Sequence, residues 1–166
     1  MARNVGHGRE DPGGVPLSRT DAYAVGQKAT LLHWDGNAWS SISPWRADGT
    51  GKAPPTYSGV WASTSSDVWV VGDYDSSGLV LHWDGAQWTS TQLNTYLWSV
   101  WGSGPDNLWA CGGTGSLYRY DGASWLSMGD QRYRYYEVWG LGQNDVWTVA
   151  DVLPNEATSE VQHFQR

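Results

Sequence analysis

Short apolar segments alternate with short polar ones along most of this chain. The apolar segments are rich in Val, Trp, Tyr and Leu, and Gly, Asp, Asn, Ser or Pro bound them on both sides. Segments of this length and composition are typical of β-strands, and no stretch carries the longer periodicity of an amphipathic helix. The pattern therefore predicts an all-β protein.

Three of these segments are copies of one another. They read VWASTSSDVWVVG from Val60, VWGSGPDNLWACG from Val100 and VWGLGQNDVWTVA from Val138, and TDAYAVG from Thr20 matches their second half. The copies are 46, 40 and 38 residues apart, counted from Tyr23. A period of this size indicates a repeat architecture, in which each unit covers the faces of its neighbours.

A second block follows each of these segments. It reads LLHWDGNAW from Leu31, VLHWDGAQW from Val80 and LYRYDGASW from Leu117, with the partial copy VQHF from Val161. Gly tolerates positive φ and Asp bonds to nearby backbone, so each Asp-Gly pair predicts a hairpin turn. Each copy thus has four strands: A at the first Trp, B at DVWVVG, C at LHW and D after the turn. Such an antiparallel meander is one blade of a β-propeller.

The predicted organisation is an irregular segment over residues 1–19 followed by about four blades. The blades span about 20–56, 57–96, 97–134 and 135–166. The first blade lacks a recognisable strand A, and the last one ends before its Asp-Gly turn and strand D. Three arrangements stay open: a small ring of four blades, a homodimer that completes a larger ring, and a piece of a longer propeller, which we slightly favour.

The spaced motif VWG, DVWxVG and LHWDGxxW resembles Trp-rich β-propeller repeats of bacterial surface and secreted proteins. It is also similar to the blades of propeller lectins and Asp-box proteins, over about residues 20–164. This resemblance implies carbohydrate binding between blades and an extracellular or cell-surface location. The true Asp-box has a residue between Asp and Gly, whereas Asp35 and Gly36 are adjacent. That departure argues against a sialidase-like activity.

Connection lengths single out one end of the predicted blades. The A and B tryptophans are always eight positions apart, and each Asp-Gly is always three positions before the next Trp. In contrast, the B to C distance ranges from 11 to 17 residues and the D to A distance from 13 to 22. In a meander the two variable connections emerge together. We call this end the variable rim, and variable loops on a rigid scaffold are where binding usually occurs.

The variable rim also carries the aromatic and charged residues that the repeat does not need. Aromatic rings stack on sugar rings, while carboxylates and guanidinium groups bond hydroxyls. The alternative is that the same rings plug a central channel or pack under long loops. The predicted ligand-binding residues are Trp45, Arg46, Tyr57, Asp73, Tyr74, Asp75, Tyr96, Trp98, Arg132, Tyr133, Arg134 and Tyr135.

Other candidate residues have a structural interpretation. His33, His82 and His163 share one strand C position on separate blades, so they predict solvated side chains rather than a metal site. Cys111 occupies a position held elsewhere by Val and predicts a core residue. The side chains before strand B are expected to bond the A to B turn. They are Asp21, Asp67, Asn107 and Asp145.

The charge and composition of the chain argue against several classes of partner and activity. Ten basic and seventeen acidic residues give a formal charge of −7, which disfavours nucleic acid as a partner. No apolar run is long enough for membrane insertion, and the first twenty residues lack the apolar core of a signal peptide. No constellation calls for catalysis, a metal or a cofactor.

The sequence predicts a non-enzymatic module that recognises a carbohydrate or a cell-surface molecule through the variable rim. The alternative is a protein-interaction or purely architectural propeller segment. A hydrolase is the third and least favoured interpretation.

Overall fold

The fold is known from a computed structural model that describes residues 13–46, 49, 51–154 and 158–165. Within them lie fifteen strands in four antiparallel sheets, and strands adjacent in sequence are adjacent in each sheet. Sheet 1 contains β1 (Gly13–Ser18), β2 (Asp21–Gly26), β3 (Thr30–Trp34) and β4 (Trp39–Ser41). Sheet 2 contains β5 (Thr56–Thr64), β6 (Asp67–Tyr74), β7 (Ser77–Trp83) and β8 (Trp88–Leu93). Sheet 3 contains β9 (Leu97–Gly104), β10 (Asn107–Gly112), β11 (Leu117–Tyr120) and β12 (Trp125–Ser127). Sheet 4 contains β13 (Tyr133–Gly142), β14 (Asp145–Val152) and β15 (Ser159–Gln165).

The first sheet has a strand that the sequence did not predict. Residues 13–18, expected to be irregular, form β1 and pair antiparallel with β2 from Gly13 opposite Val25 to Ser18 opposite Asp21. A strand ladder is made by backbone groups, so β1 needs none of the side chains that mark strand A in the other copies. The prediction of a first blade without strand A is therefore wrong. Residues 1–12 lie outside the described part.

The sheets are arranged as blades. The first strand of each sheet contacts the first strand of the next, from β1 to β5, β9 and β13. The last strands β4, β8 and β12 are largely exposed. This is the architecture of a β-propeller fragment, as predicted. The last sheet ends at its third strand in the described residues, also as predicted.

The core lies between the sheets rather than inside one sheet. One cluster joins sheets 1 and 2, a second joins sheets 2 and 3, and a third joins sheets 3 and 4. Cys111 is fully buried in the third cluster, where desolvation raises the pKa of its thiol far above the usual value. Each interior sheet is thus covered on both faces, as the repeat requires.

Apolar side chains are exposed on the outer faces of the first and last sheets. On sheet 4, Val161 is 60% exposed, and on sheet 1, Trp39 is 50% exposed. The described parts of sheets 1 and 4 make no extensive contact with each other. The described residues of the four sheets therefore form an open arc, whereas the sequence left a small closed ring as one arrangement.

Candidate functional site

The rim opposite the variable one consists of short turns fixed by aspartate. The Oδ1 atom of Asp35 accepts backbone N–H groups from Asn37 at 2.8 Å and Ala38 at 2.9 Å. These bonds hold the pKa of Asp35 below its usual value. Gly36 has a φ of 95°, which an L side chain rarely adopts. The turns at Asp84 and Asp121 repeat the same bonds, so these carboxylates form turns as predicted.

A second aspartate lies before strand B and makes a different network. In sheet 2, Oδ1 of Asp67 accepts the indole N–H of Trp69 at 2.9 Å and lies 2.9 Å from Nε2 of His82. The His82 ring stacks on Trp69 with centroids 3.8 Å apart. The other carboxylate oxygen accepts the hydroxyl of Ser63, so the expected bond to the A to B turn is also present.

Sheets 1 and 4 carry versions of this network. Asp145 bonds Trp147 at 2.9 Å and His163 at 2.6 Å, and the two rings stack at 3.6 Å. In sheet 1 the Asp21 to His33 bond is 2.8 Å, and His33 lies 4.7 Å from the ring of Tyr23. The strand C histidines are therefore half-buried partners of aspartate and not solvated side chains, which corrects that expectation.

A groove runs along the outer part of sheet 2, from the variable rim to Trp88 beside the Asp84-Gly85 turn. The antiparallel order of each sheet puts the B to C and D to A connections at the same end, as expected. The groove lies between the connection that follows β4 and the outer strands of sheet 2, and its volume is about 320 Å³. We call it the sheet 2 groove. Its lining residues are Pro44, Trp45, Arg46, Pro55, Tyr57, Tyr74, Leu79, Leu81, Trp88, Thr89, Ser90 and Gln92.

Four predicted ligand-binding residues line this groove, and the structure holds them in place. Arg46 donates from Nη1 to the carbonyl oxygens of Ser43 at 2.6 Å and Trp45 at 2.7 Å, which fixes the connection. Trp45 is half-buried against the core cluster of sheets 1 and 2. The hydroxyl of Tyr57 lies 3.3 Å from Oγ of Ser43, and burial raises the pKa of Tyr57.

Two more charged groups lie beside the groove at Tyr74. Lys52 Nζ bonds the carboxylate of Asp75 at 2.5 Å and sits 5.8 Å from the centroid of the Tyr74 ring. Both members of this ion pair are about half exposed. Asp75, another predicted site residue, is therefore next to the groove and bonded to a cation.

Asp73, Tyr96 and Trp98 lie away from the groove, near the junction of sheets 2 and 3. The carboxylate of Asp73 accepts the backbone N–H of Leu97 at 3.0 Å. Burial raises the pKa of Asp73 to about 6. Tyr96 is exposed, whereas Trp98 stacks on Tyr136 with centroids 5.5 Å apart.

The remaining predicted residues form the edge of sheet 4. Arg132 bonds Oδ2 of Asp130 at 2.7 Å and lies 5.7 Å from the centroid of the Tyr133 ring. Tyr135 is buried, and its hydroxyl accepts the backbone N–H of Asp130 at 3.1 Å. Arg134 pairs with Thr114 of sheet 3 through an isolated bridge. This cluster fixes the start of β13 and does not adjoin the sheet 2 groove.

The sequence missed the outer wall of the groove. Trp88 was assigned to the repeat, and Thr89, Ser90 and Gln92 were not singled out because β8 has an ordinary strand composition. One signal was available: the segment from Trp88 to the next strand A has no charged residue. The prolines Pro44 and Pro55, which flank the long connection, were a second signal.

The comparisons with known proteins support the fold. No protein-family model matches the chain, and no curated protein does. Among solved structures, "YCF48 bound to D1 peptide", a β-propeller, matches with a TM-score of 0.52 and 13% identity. The match covers 89% of this chain and 64% of the length of that one. At this identity the likeness shows the propeller architecture alone.

In the described part of the chain, no helix is long and apolar enough to cross a membrane. Within the same residues, no three His, Cys, Asp or Glu side chains lie close enough together to hold a metal ion.

Proposed function

We propose that this chain is a non-enzymatic propeller module that binds an extended, mostly apolar segment of another protein in the sheet 2 groove. The observation that carries this proposal is the position of the groove beside an uncharged edge strand. Four aromatic rings line the groove, and β8 forms its outer wall. They belong to Trp45, Tyr57, Tyr74 and Trp88.

The edge of β8 supplies backbone hydrogen bonds. β8 is the last strand of sheet 2 and spans six residues, whereas β4 and β12 span three each. Its sequence WTSTQL contains neither charge nor proline, the residues that usually protect an exposed edge. An extended segment can therefore add to this edge as a further strand and place alternate side chains in the groove.

The charge of the lining indicates the kind of segment. Among the described residues that line the groove, Arg46 is the only charged one, although the whole chain is acidic. A segment with apolar side chains and one carboxylate near Arg46 fits this lining. The peptide named in the YCF48 structure supports a protein partner for this fold, without naming one for this chain.

The test is selection of peptides from a random library on the purified chain, followed by affinity measurement with Trp45→Ala. We expect apolar peptides whose affinity falls roughly tenfold in Trp45→Ala, because aromatic side chains in pockets carry much of the binding free energy. Ser90→Lys should also weaken binding by charging the edge. The matched control is Leu126→Lys on β12, which is also exposed and does not line the groove.

A carbohydrate is the second candidate, and the half-buried indole of Trp45 next to the exposed side chains of Thr89 and Ser90 favours it. The indole could stack on a sugar ring while the hydroxyls bond its own hydroxyls. A glycan array with the native chain and Trp45→Ala distinguishes the two. Sugar binding lost in Trp45→Ala, without peptide selection, would replace the protein-segment proposal.

A further inference from the structure

The three interfaces inside the arc are built in one way. Between sheets 2 and 3, one face contributes Trp69, Val71 and Val80, which pack against Leu108 and Ala110 of the next sheet. Between sheets 1 and 2, the same positions hold Tyr23, Val25 and Leu31, and between sheets 3 and 4 they hold Trp109, Cys111 and Leu117. We call the face that carries Trp69, Val71 and Val80, or their equivalents, the contributing face. The face of the next sheet that packs on it is the receiving face.

Among the described residues, no neighbouring sheet covers the open face of sheet 4, which is a contributing face. Val149 pairs with Val161 in the register in which Val71 pairs with Val80. Trp147 occupies the position of Trp69. Val161 is 60% exposed, whereas Val80 is 2% exposed. The two residues are the same, and they differ in that a neighbouring sheet packs on Val80.

In the part of the chain that the structure describes, no sheet packs on the open face of sheet 1, which is a receiving face. Ala24 pairs with Leu32 in the register in which Val70 pairs with Leu81 on the covered face of sheet 2. Trp39 corresponds to Trp88, which packs on the core cluster of sheets 1 and 2. Trp39 is instead half exposed.

Close contacts between the first strands of neighbouring sheets follow the same direction from one sheet to the next. A Cβ atom at Gly102 would lie 3.0 Å from the indole of Trp61, and one at Gly140 would lie 2.5 Å from the indole of Trp101. Each strand A Trp therefore packs on the glycine of the next sheet. Trp139 holds the same position in sheet 4 and is 37% exposed. In sheet 1 the position of Gly102 and Gly140 is held by Pro16, which pairs with Ala22 as Gly102 pairs with Leu108 and Gly140 with Val146.

We infer that sheet 4 of one copy packs against sheet 1 of a second copy, and that two such contacts close a two-fold ring. The contributing and receiving faces of the chain are complementary to each other, and each continues an interface already present inside the arc. Two copies give eight sheets, which lies within the range of propellers, about four to eight blades. This head-to-tail contact is independent of the sheet 2 groove.

The test is the mass of the full chain in solution by light scattering and sedimentation equilibrium. We expect twice 18.3 kDa for the native chain. Val161→Lys and Leu32→Lys each place a charge in one half of the contact and should weaken dimerisation at least about tenfold. Leu141→Lys is the control, because Leu141 is exposed and lies at the register shift between Gly140 and Gly142, where it has no partner on β14. Circular dichroism checks that each variant keeps its strands.

A mixture of the two variants tests the polarity of the contact. Val161→Lys keeps a native sheet 1 and Leu32→Lys keeps a native sheet 4, so the mixture should recover one contact and form a one-to-one dimer. A monomeric native chain, an unchanged mass in Val161→Lys, or a series of ever larger assemblies would overturn the two-copy ring. Peptide binding by monomeric Val161→Lys should equal that of the native chain, so the ring and the groove proposals can fail separately.

Discussion

The side-chain oxygen of Asn107 accepts a hydrogen bond from Arg119 and not from Trp109. Oδ1 of Asn107 accepts from Nε of Arg119 at 2.9 Å, while the buried Nε1 of Trp109 has no hydrogen-bond partner. In sheets 2 and 4 an aspartate at the same position serves both the indole and the strand C side chain. Sheet 3 is therefore the one described sheet with a strand B Trp whose network is incomplete.

Asn107→Asp should stabilise the protein. The carboxylate can accept from Trp109 and Arg119 together, and a buried donor that gains a charged acceptor contributes about 1 kcal/mol. Urea unfolding followed by tryptophan fluorescence measures the change. Asn107→Ala is the opposite control and should destabilise, and equal stability of all three proteins would contradict this account.

Asp67→Ala should destabilise the protein by about 2 kcal/mol, because it leaves the indole N–H of Trp69 and the ring of His82 without their acceptor. Urea unfolding again measures the loss. Asp75→Ala is the control: it breaks an exposed ion pair with Lys52 and should cost less than about 1 kcal/mol. A loss at Asp75 as large as that at Asp67 would argue against the network.

Asp73 should make stability fall as the pH rises. Burial raises its pKa to about 6 in the folded chain from 3.8, so the folded state holds the proton more tightly. The resulting stabilisation is complete below pH 3.8 and is lost as the pH rises through about 6. Asp73→Asn keeps an oxygen for the N–H of Leu97 and should remove this part of the pH dependence.

Unfolding of the native chain and of Asp73→Asn should therefore be compared at several pH values, with Asp35→Asn as the matched control. The pKa of Asp35 is lowered in the fold, so its contribution has the opposite sign and is lost as the pH falls. Parallel pH profiles for the native chain and Asp73→Asn would show that Asp73 is not the source.

Gly85→Ala should destabilise the protein by about 1 to 2 kcal/mol. Gly85 has a φ of 91°, and a Cβ atom there would lie 3.0 Å from Cβ of Ser66. Gly142→Ala is the control, since a Cβ at Gly142 would meet no atom within 4 Å. Thermal unfolding of both variants measures the difference, and similar midpoints would contradict the turn assignment.

The sequence predicted the sheets because their side chains repeat at fixed spacing. The strand B positions around Trp69 and the turns at Asp84 both follow from such spacing. It did not predict β1, because a strand at the inner end of a sheet can be held by backbone bonds and has no Trp to mark it. A strand that is held by backbone hydrogen bonds alone leaves no side-chain pattern from which it can be predicted.

The candidate site was only partly predictable. Trp45 and Arg46 were found because they are surplus to the repeat, and they do line the groove. Arg132 and Tyr135 were surplus too, but local bonds to Asp130 fix them in the edge of sheet 4. The aromatic and charged residues that the repeat does not need thus identify the variable rim. Which of them are accessible to a ligand depends on their hydrogen-bond and packing partners. Those partners are set by three-dimensional contacts that the sequence pattern does not show.

Because the three interfaces share one register, such a chain can evolve by gain or loss of whole units. A unit that presents an aromatic residue with small or aliphatic neighbours on one face, and small or aliphatic side chains on the other, fits between two of its kind. Duplication or deletion of a whole unit would therefore leave every surviving contact intact. Length can evolve in modular steps, while a change within a single unit must be tolerated by both of its neighbours.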